Sequence, residues 1–140
     1  MALTTPRFES VQHVSTLLGY GLLFMRVSTA LLLLQVHGLP KLLNWSTELQ
    51  RIEDPFGFGA SLTLGLAVFA EVLCPVLLIL GVYARLACLP VLAVLAVAVV
   101  IVHPEWTLEQ GQFAWLLIIL FAGLALTGPG PLVIGRLRHR

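Results

Sequence analysis

Four stretches of the chain are continuously apolar, and none alternates with the two-residue period of a half-buried strand. Leu17 to Val36 carries a single charge, Arg26, and Ser61 to Leu80 carries only Glu71. Leu86 to Val102 carries none, and the shorter run from Phe113 to Leu126 reaches a full span by extending back through Gln112 and Gln110. A hydrocarbon core of about 30 Å needs roughly 20 residues of helix. A backbone in lipid must satisfy its own hydrogen bonds, which leaves helices or a closed barrel, and continuous apolar runs favour helices. The pattern predicts an all-α fold, a four-transmembrane-helix bundle in a single domain over residues 1–140. The spans fall at about 17–37, 61–81, 86–103 and 110–127, followed by a basic cytoplasmic tail at 131–140. The one long connection, Leu39 to Ala60, holds Pro40, Trp45, Pro55, Gly57 and Gly59 and reads as an interfacial loop. Gly19, Gly21, Gly65 and Gly123 are expected to let helices approach closely.

Composition agrees with lipid as the main solvent. Of 140 residues, 59% are hydrophobic and 11% charged, against roughly 45–50% and 25% in an ordinary soluble domain. Mean hydropathy is +0.98, and a soluble protein this small could not hide so much apolar surface. A net charge of +1 offers no basic face, so nucleic acid is not an expected partner. Cys74 and Cys88 lie in apolar runs outside any C-x-x-C, so they read as packing residues and not as a disulfide framework or zinc site. The first run is too long for a signal-peptide core and ends in Val-His-Gly, so it is expected to remain in the mature protein. Arg7, Arg85, Arg136, Arg138 and Arg140 fall on one side of a four-span bundle and only Lys41 and Arg51 on the other, which predicts that both termini are cytoplasmic.

The charges inside the spans carry the chemistry. Each costs at least about 2.5 kcal/mol at the bilayer centre, so a lone lipid-facing one is unfavourable. Counted from His37, Arg26 lies roughly 16 Å deep, and counted from Ser61, Glu71 lies about 15 Å deep. The matching depths predict a buried Arg26–Glu71 pair, serving either as a clamp on helix register or as the polar floor of a ligand or proton site. Arg26 and His37 fall on one helical stripe, and Lys41 lies one turn past His37 if the helix survives Gly38 and Pro40. His103 ends the third span at the level of His37, with Glu105 and Glu109 beyond it. Two histidines at one level suit a haem, a metal or a quinone carbonyl, although no H-E-x-x-H motif singles out a metal.

Taken together, Arg26, His37-Gly38-Leu39-Pro40-Lys41, Ala70-Glu71, Leu80-Gly81-Val82-Tyr83-Ala84-Arg85 and Leu126-Thr127-Gly128-Pro129-Gly130 resemble the DoxX family of small four-helix membrane proteins. The resemblance runs from about Leu18 to Gly130. Two departures stand out. The family's carboxylate near the start of the fourth span corresponds either to Glu109 or to a position held here by Gln112. The family's Ser-x-Asp after Gly-Pro-Gly is replaced by Pro131-Leu132-Val133.

The resemblance implies a membrane partner of redox or thiol-homeostasis complexes, the family being named for a subunit linked to quinone-coupled thiosulfate oxidation. The expected role is a quinone-interacting subunit of a membrane redox complex, multi-pass in the cell inner membrane and working with partner subunits or as a homo-oligomer. His37, Glu71 and Arg26 are its candidate catalytic residues. His37, Lys41, His103 and Glu109 are its candidate cofactor contacts, with no metal assigned. One alternative is a non-catalytic anchor or assembly partner for a larger complex. The other is metal or haem binding through His37 and His103.

Overall fold

A computed structural model describes residues 6–134, with side chains from residue 14 onward. Every regular element among the described residues is helical. Helix α1 (Pro6–Leu33) continues through a π-helical turn, Leu34–Gly38, into α2 (Leu39–Leu43). The short α3 (Trp45–Arg51) follows directly. Helices α4 (Ala60–Val68) and α5 (Cys74–Leu80) are one rod joined by a second π turn, Phe69–Leu73. Helix α6 (Ala84–Val97) ends in a third, Ala98–Val102, and α7 (Leu108–Thr127) is uninterrupted. Four of these rods are long and apolar enough to cross a membrane: Val14–Leu43, Ala60–Leu80, Ala84–Val102 and Leu108–Thr127. The Arg7, Arg136, Arg138 and Arg140 side chains, on which the orientation argument leans, lie outside the described residues, as does most of the tail at 131–140.

The first span differs from the sequence expectation, which ended it near His37. It runs on to Leu43 because the π turn absorbs Pro40. Proline lacks an N–H and its ring collides with the carbonyl four residues back. A π turn, with hydrogen bonds spaced five residues apart, opens the helix just there. Leu39 N–H accordingly donates to the Leu34 carbonyl, and Cys74 N–H to the Phe69 carbonyl. All three π turns end two residues before a proline, at Pro40, Pro75 and Pro104. One sequence feature therefore accounts for three local distortions.

The core lies in the half of the bundle opposite the π turns. Leu33, Cys74, Leu78, Cys88, Val91, Leu117 and Phe121 are almost completely enclosed there, and spans three and four pack along their length. Phe24, Leu86, Ile119 and Leu126 point outward, as side chains facing hydrocarbon should. Of the glycines expected to admit a neighbour, Gly19 does so, since a Cβ there would meet Pro131 at 2.8 Å. Gly21, Gly65 and Gly123 face open space, so their small size serves no helix contact among the described residues.

The span ends are built locally. Asp54 accepts hydrogen bonds from Phe58 N–H, Gly59 N–H and the Thr63 hydroxyl at 3.1, 2.7 and 2.7 Å, tying the loop before α4 to its first turn. Gly81, at φ 74°, closes α5 in a left-handed turn in which Val82 N–H reaches the Leu77 carbonyl. Thr107 and Gln110 form a reciprocal capping box on α7.

Candidate functional site

Spans one and two touch where both are π-helical. Gly38 sits directly against the backbone of Glu71: a Cβ on it would lie 2.1 Å from the Glu71 carbonyl oxygen. That carbonyl is the one four residues before Pro75, so the proline denies it its usual helical donor. Only glycine fits against it. The close approach brings Lys41, one turn beyond, over the Glu71 side chain, and Lys41 Nζ lies 2.5 Å from Glu71 Oε2. The carboxylate is 6% exposed and the lysine 23%. His37 stacks on Phe113 of α7, with ring centres 5.9 Å apart, and interacts electrostatically with both Glu71 and Lys41. The pieces His37-Gly38-x-x-Lys41 and Ala70-Glu71, distant in sequence, thus form one cluster.

Beside this cluster a cleft of about 660 Å³ runs between spans two and three. Its walls are apolar, with Leu66, Phe69 and Ala70 on one side and Pro90, Val94 and Ala98 on the other. The π turns of both spans contribute residues to it. Lys41 and His103 reach its polar end, and Glu48, Arg51 and Glu53 from α3 and the following loop line its rim, with Phe56 and Phe58 as an aromatic cover. Lys41 is already neutralised by Glu71, so the rim itself carries one cation, Arg51, against two carboxylates, Glu48 and Glu53.

The expected Arg26–Glu71 pair does not form. Glu71 takes Lys41 as its partner, and Arg26 sits at the other end of the bundle. Arg26 is 1% exposed and donates from Nη1 to the Pro129 carbonyl and from Nη2 to the Leu132 carbonyl, the latter at 2.9 Å. Its Nε finds no acceptor among the described residues. The sequence estimate took His37 as the membrane surface, but the helix continues to Leu43, which puts Arg26 about 25 Å below that end. Glu71 lies about 15 Å along its own span from Gly81, and a Cβ on Gly81 would stand 3.1 Å from Arg26 Nη1. Arg26 therefore lies between the C-termini of α5 and α7. Each carries roughly half a negative charge from its helix dipole, which together offset the buried cation without a carboxylate. Arg85 Nη2 makes longer contacts of 3.4 Å to the Leu126 and Thr127 carbonyls at the same end.

The remaining candidates separate. His103 lines the cleft while stacking face to face on Trp106 at 4.0 Å, with its Nδ1 3.5 Å from Glu105. His37 does not line the cleft, so the two histidines are engaged on different sides of the cluster. No group of three or more His, Cys, Asp or Glu side chains suited to a metal ion forms among the described residues. Glu109 is exposed in the first turn of α7, where a carboxylate complements the helix dipole, and it is not part of the cleft wall.

The DoxX family model matches residues 21–104, more than half of the chain. The chain belongs to the DoxX family. The matched segment holds Arg26, His37, Lys41, Glu71 and His103, and so contains the whole cluster and all of the cleft wall. Glu109, Gln112 and the Gly128-Pro129-Gly130 segment that clasps Arg26 lie beyond it. Neither the curated proteins nor the solved structures include a match to the chain.

Sequence reasoning missed the rim, Glu48, Arg51 and Glu53, because surface charges on a short interfacial helix carry no pattern of their own. It also missed the carbonyl ligands of Arg26, since backbone oxygens have no signature in sequence. The π turns were signalled by the prolines, and the α7 cap by Thr107-x-x-Gln110.

Proposed function

We propose that this DoxX-family protein is a quinone-interacting subunit of a membrane redox complex in the cell inner membrane, acting with partner subunits. The observation that supports this reading is the cleft, an apolar slot with hydrogen-bond donors at one end. Its 660 Å³ falls within the usual range for small-molecule sites, roughly 300–1,000 Å³. The apolar walls, Phe69 and Val94 among them, would take a quinone ring and its isoprenoid tail, and Lys41 at the polar end would be the donor available to a ring carbonyl. The rim's excess carboxylate disfavours the anionic head of a fatty acid or phospholipid, which leaves an uncharged polar head as the better match. When bound, a quinone supplies two-electron, two-proton chemistry. Lys41 would donate a hydrogen bond to its carbonyl, Glu71 would hold the lysine in place, and His37 would add to the field around both. His103 supplies a second donor at the mouth. Glu109 and Arg26 stand apart from these contacts.

The Lys/Arg distribution supports cytoplasmic termini. Lys41, already one of only two cations on the opposite side, is turned inward, which sharpens the asymmetry. The cleft mouth then faces the outer side.

The experiment is titration of the detergent-purified protein with a short-chain quinone, read by tryptophan fluorescence, for wild type, Lys41→Met and His103→Ala. Losing one charge-assisted hydrogen bond, about 1.5–3 kcal/mol, should weaken binding roughly 10- to 150-fold in Lys41→Met. Equal quinone affinity in wild type and Lys41→Met overturns the assignment. Absence of saturable binding in all three favours a non-catalytic anchor.

A further inference from the structure

The Lys41–Glu71 pair communicates with water from one end of the bundle only. Toward the α3 end, Lys41 reaches the cleft, and Glu48, Arg51, Glu53 and His103 continue a polar lining from there to the rim. Toward the Arg26 end the described residues offer no such path. Leu33, Cys74, Leu78, Leu117 and Phe121, each at most 1% exposed, fill the interior across the roughly 15 Å between the Glu71 level and the Gly81 turn. A proton crossing that distance needs a chain of about five hydrogen-bonded groups at roughly 2.8 Å each. Among the described residues the interior offers one, Thr29, the only buried polar side chain there besides Arg26 and Glu71. Beyond it Arg26, fixed on two carbonyls, presents a permanent positive charge to any proton arriving from that side.

We propose that the Lys41–Glu71 pair is open to water and protons solely from the membrane face that carries α3 and the His103 turn. Any proton that chemistry in the cleft consumes or releases is then drawn from, or delivered to, that face, which makes the site vectorial. This holds whatever molecule occupies the cleft, so it stands apart from the quinone assignment and its test requires no quinone.

The test uses the full chain in sealed membrane vesicles of both orientations, with Cys74→Ala and Cys88→Ala removing the native thiols. A cysteine is placed at Lys41, at Thr29, at the rim (Glu53→Cys) or at the opposite turn (Tyr83→Cys), and each is exposed to a membrane-impermeant cationic thiol reagent. Lys41→Cys should react only in vesicles where Glu53→Cys reacts, with complete loss of labelling in those where Tyr83→Cys reacts, and Thr29→Cys should stay unlabelled in both. Labelling of Lys41→Cys from the Tyr83 side, from both sides or from neither overturns the proposal, as does labelling of Thr29→Cys. Where Lys41→Cys fails to accumulate, Glu71→Cys reads the same path with the same outcomes.

Discussion

Replacing Lys41 by methionine strands the Glu71 carboxylate, and the structure sets the size of the effect. At 2.5 Å the pair attracts with about 7 kcal/mol at an effective dielectric near 20, much of it offset by several kcal/mol of desolvation per ion. Removing one partner of a buried pair leaves the other uncompensated, at a cost of about 3–5 kcal/mol. The lower end applies here, because part of Lys41 already reaches the cleft. Lys41→Met should therefore unfold about 3 kcal/mol more easily. Replacing both residues, as Lys41→Met with Glu71→Leu, should restore most of the stability. The assay is unfolding by sodium dodecyl sulfate from mild detergent, followed by circular dichroism. A Lys41→Met cost below about 1 kcal/mol refutes the buried pair, and so does a double variant as unstable as the sum of the singles.

Arg26→Ala should lose two charge-assisted hydrogen bonds, roughly 3–6 kcal/mol by the same unfolding assay, and Arg26→Lys should recover less than half because an ammonium cannot span both carbonyls. The exchanged variant, Arg26→Glu with Glu71→Arg, should be worse than either single change, since the two residues are not partners; rescue of folding by the exchange refutes the present geometry. Gly38→Ala forces a methyl against the Glu71 carbonyl, and should cost upward of about 3 kcal/mol while separating Lys41 from Glu71, readable as the same loss of short-chain quinone affinity as Lys41→Met. The Thr63 hydroxyl first, then the Gly59 and Phe58 N–H groups, hold the Asp54 carboxyl below its ordinary 3.8. The loop tie it makes is therefore fully present above about pH 4 and is lost as pH falls further, through the depressed value. Limited proteolysis between Pro55 and Gly59 should accelerate only in that acid range, and in Asp54→Ala at every pH.

The spans, their number and their helical nature were legible because continuous apolar runs have one stable form in lipid. The motif residues His37, Gly38, Lys41 and Glu71 were legible individually, but their partnership was not. Depth was estimated by counting residues from an assumed surface at His37, and the helix crosses that point. Pro40 looked like a terminator because a proline inside an α-helix usually is one, whereas a π turn before it lets the rod continue. The same turn alters the angular register, so a stripe drawn from Arg26 to His37 at a fixed angle per residue does not survive it. Arg26 was sought a carboxylate because charge is visible in sequence, while helix C-termini and carbonyl oxygens are not.

The clasp on Arg26 also bears on how the chain is made. Arg26 lies in α1, yet its acceptor, the Leu132 carbonyl, is 106 residues later. At roughly 5–20 residues per second the ribosome supplies that acceptor about 5 to 20 s after Arg26 itself. During that interval the guanidinium has neither its carbonyls nor the two helix ends around it. The first span therefore cannot settle at its final depth alone. It must wait beside the translocation machinery or hold Arg26 near the lipid headgroups, and the arrival of Gly128 to Leu132 is what lets it seat. Chains truncated after α7 should leave the first span shallow, with its C-terminal half out of register for Lys41 to meet Glu71.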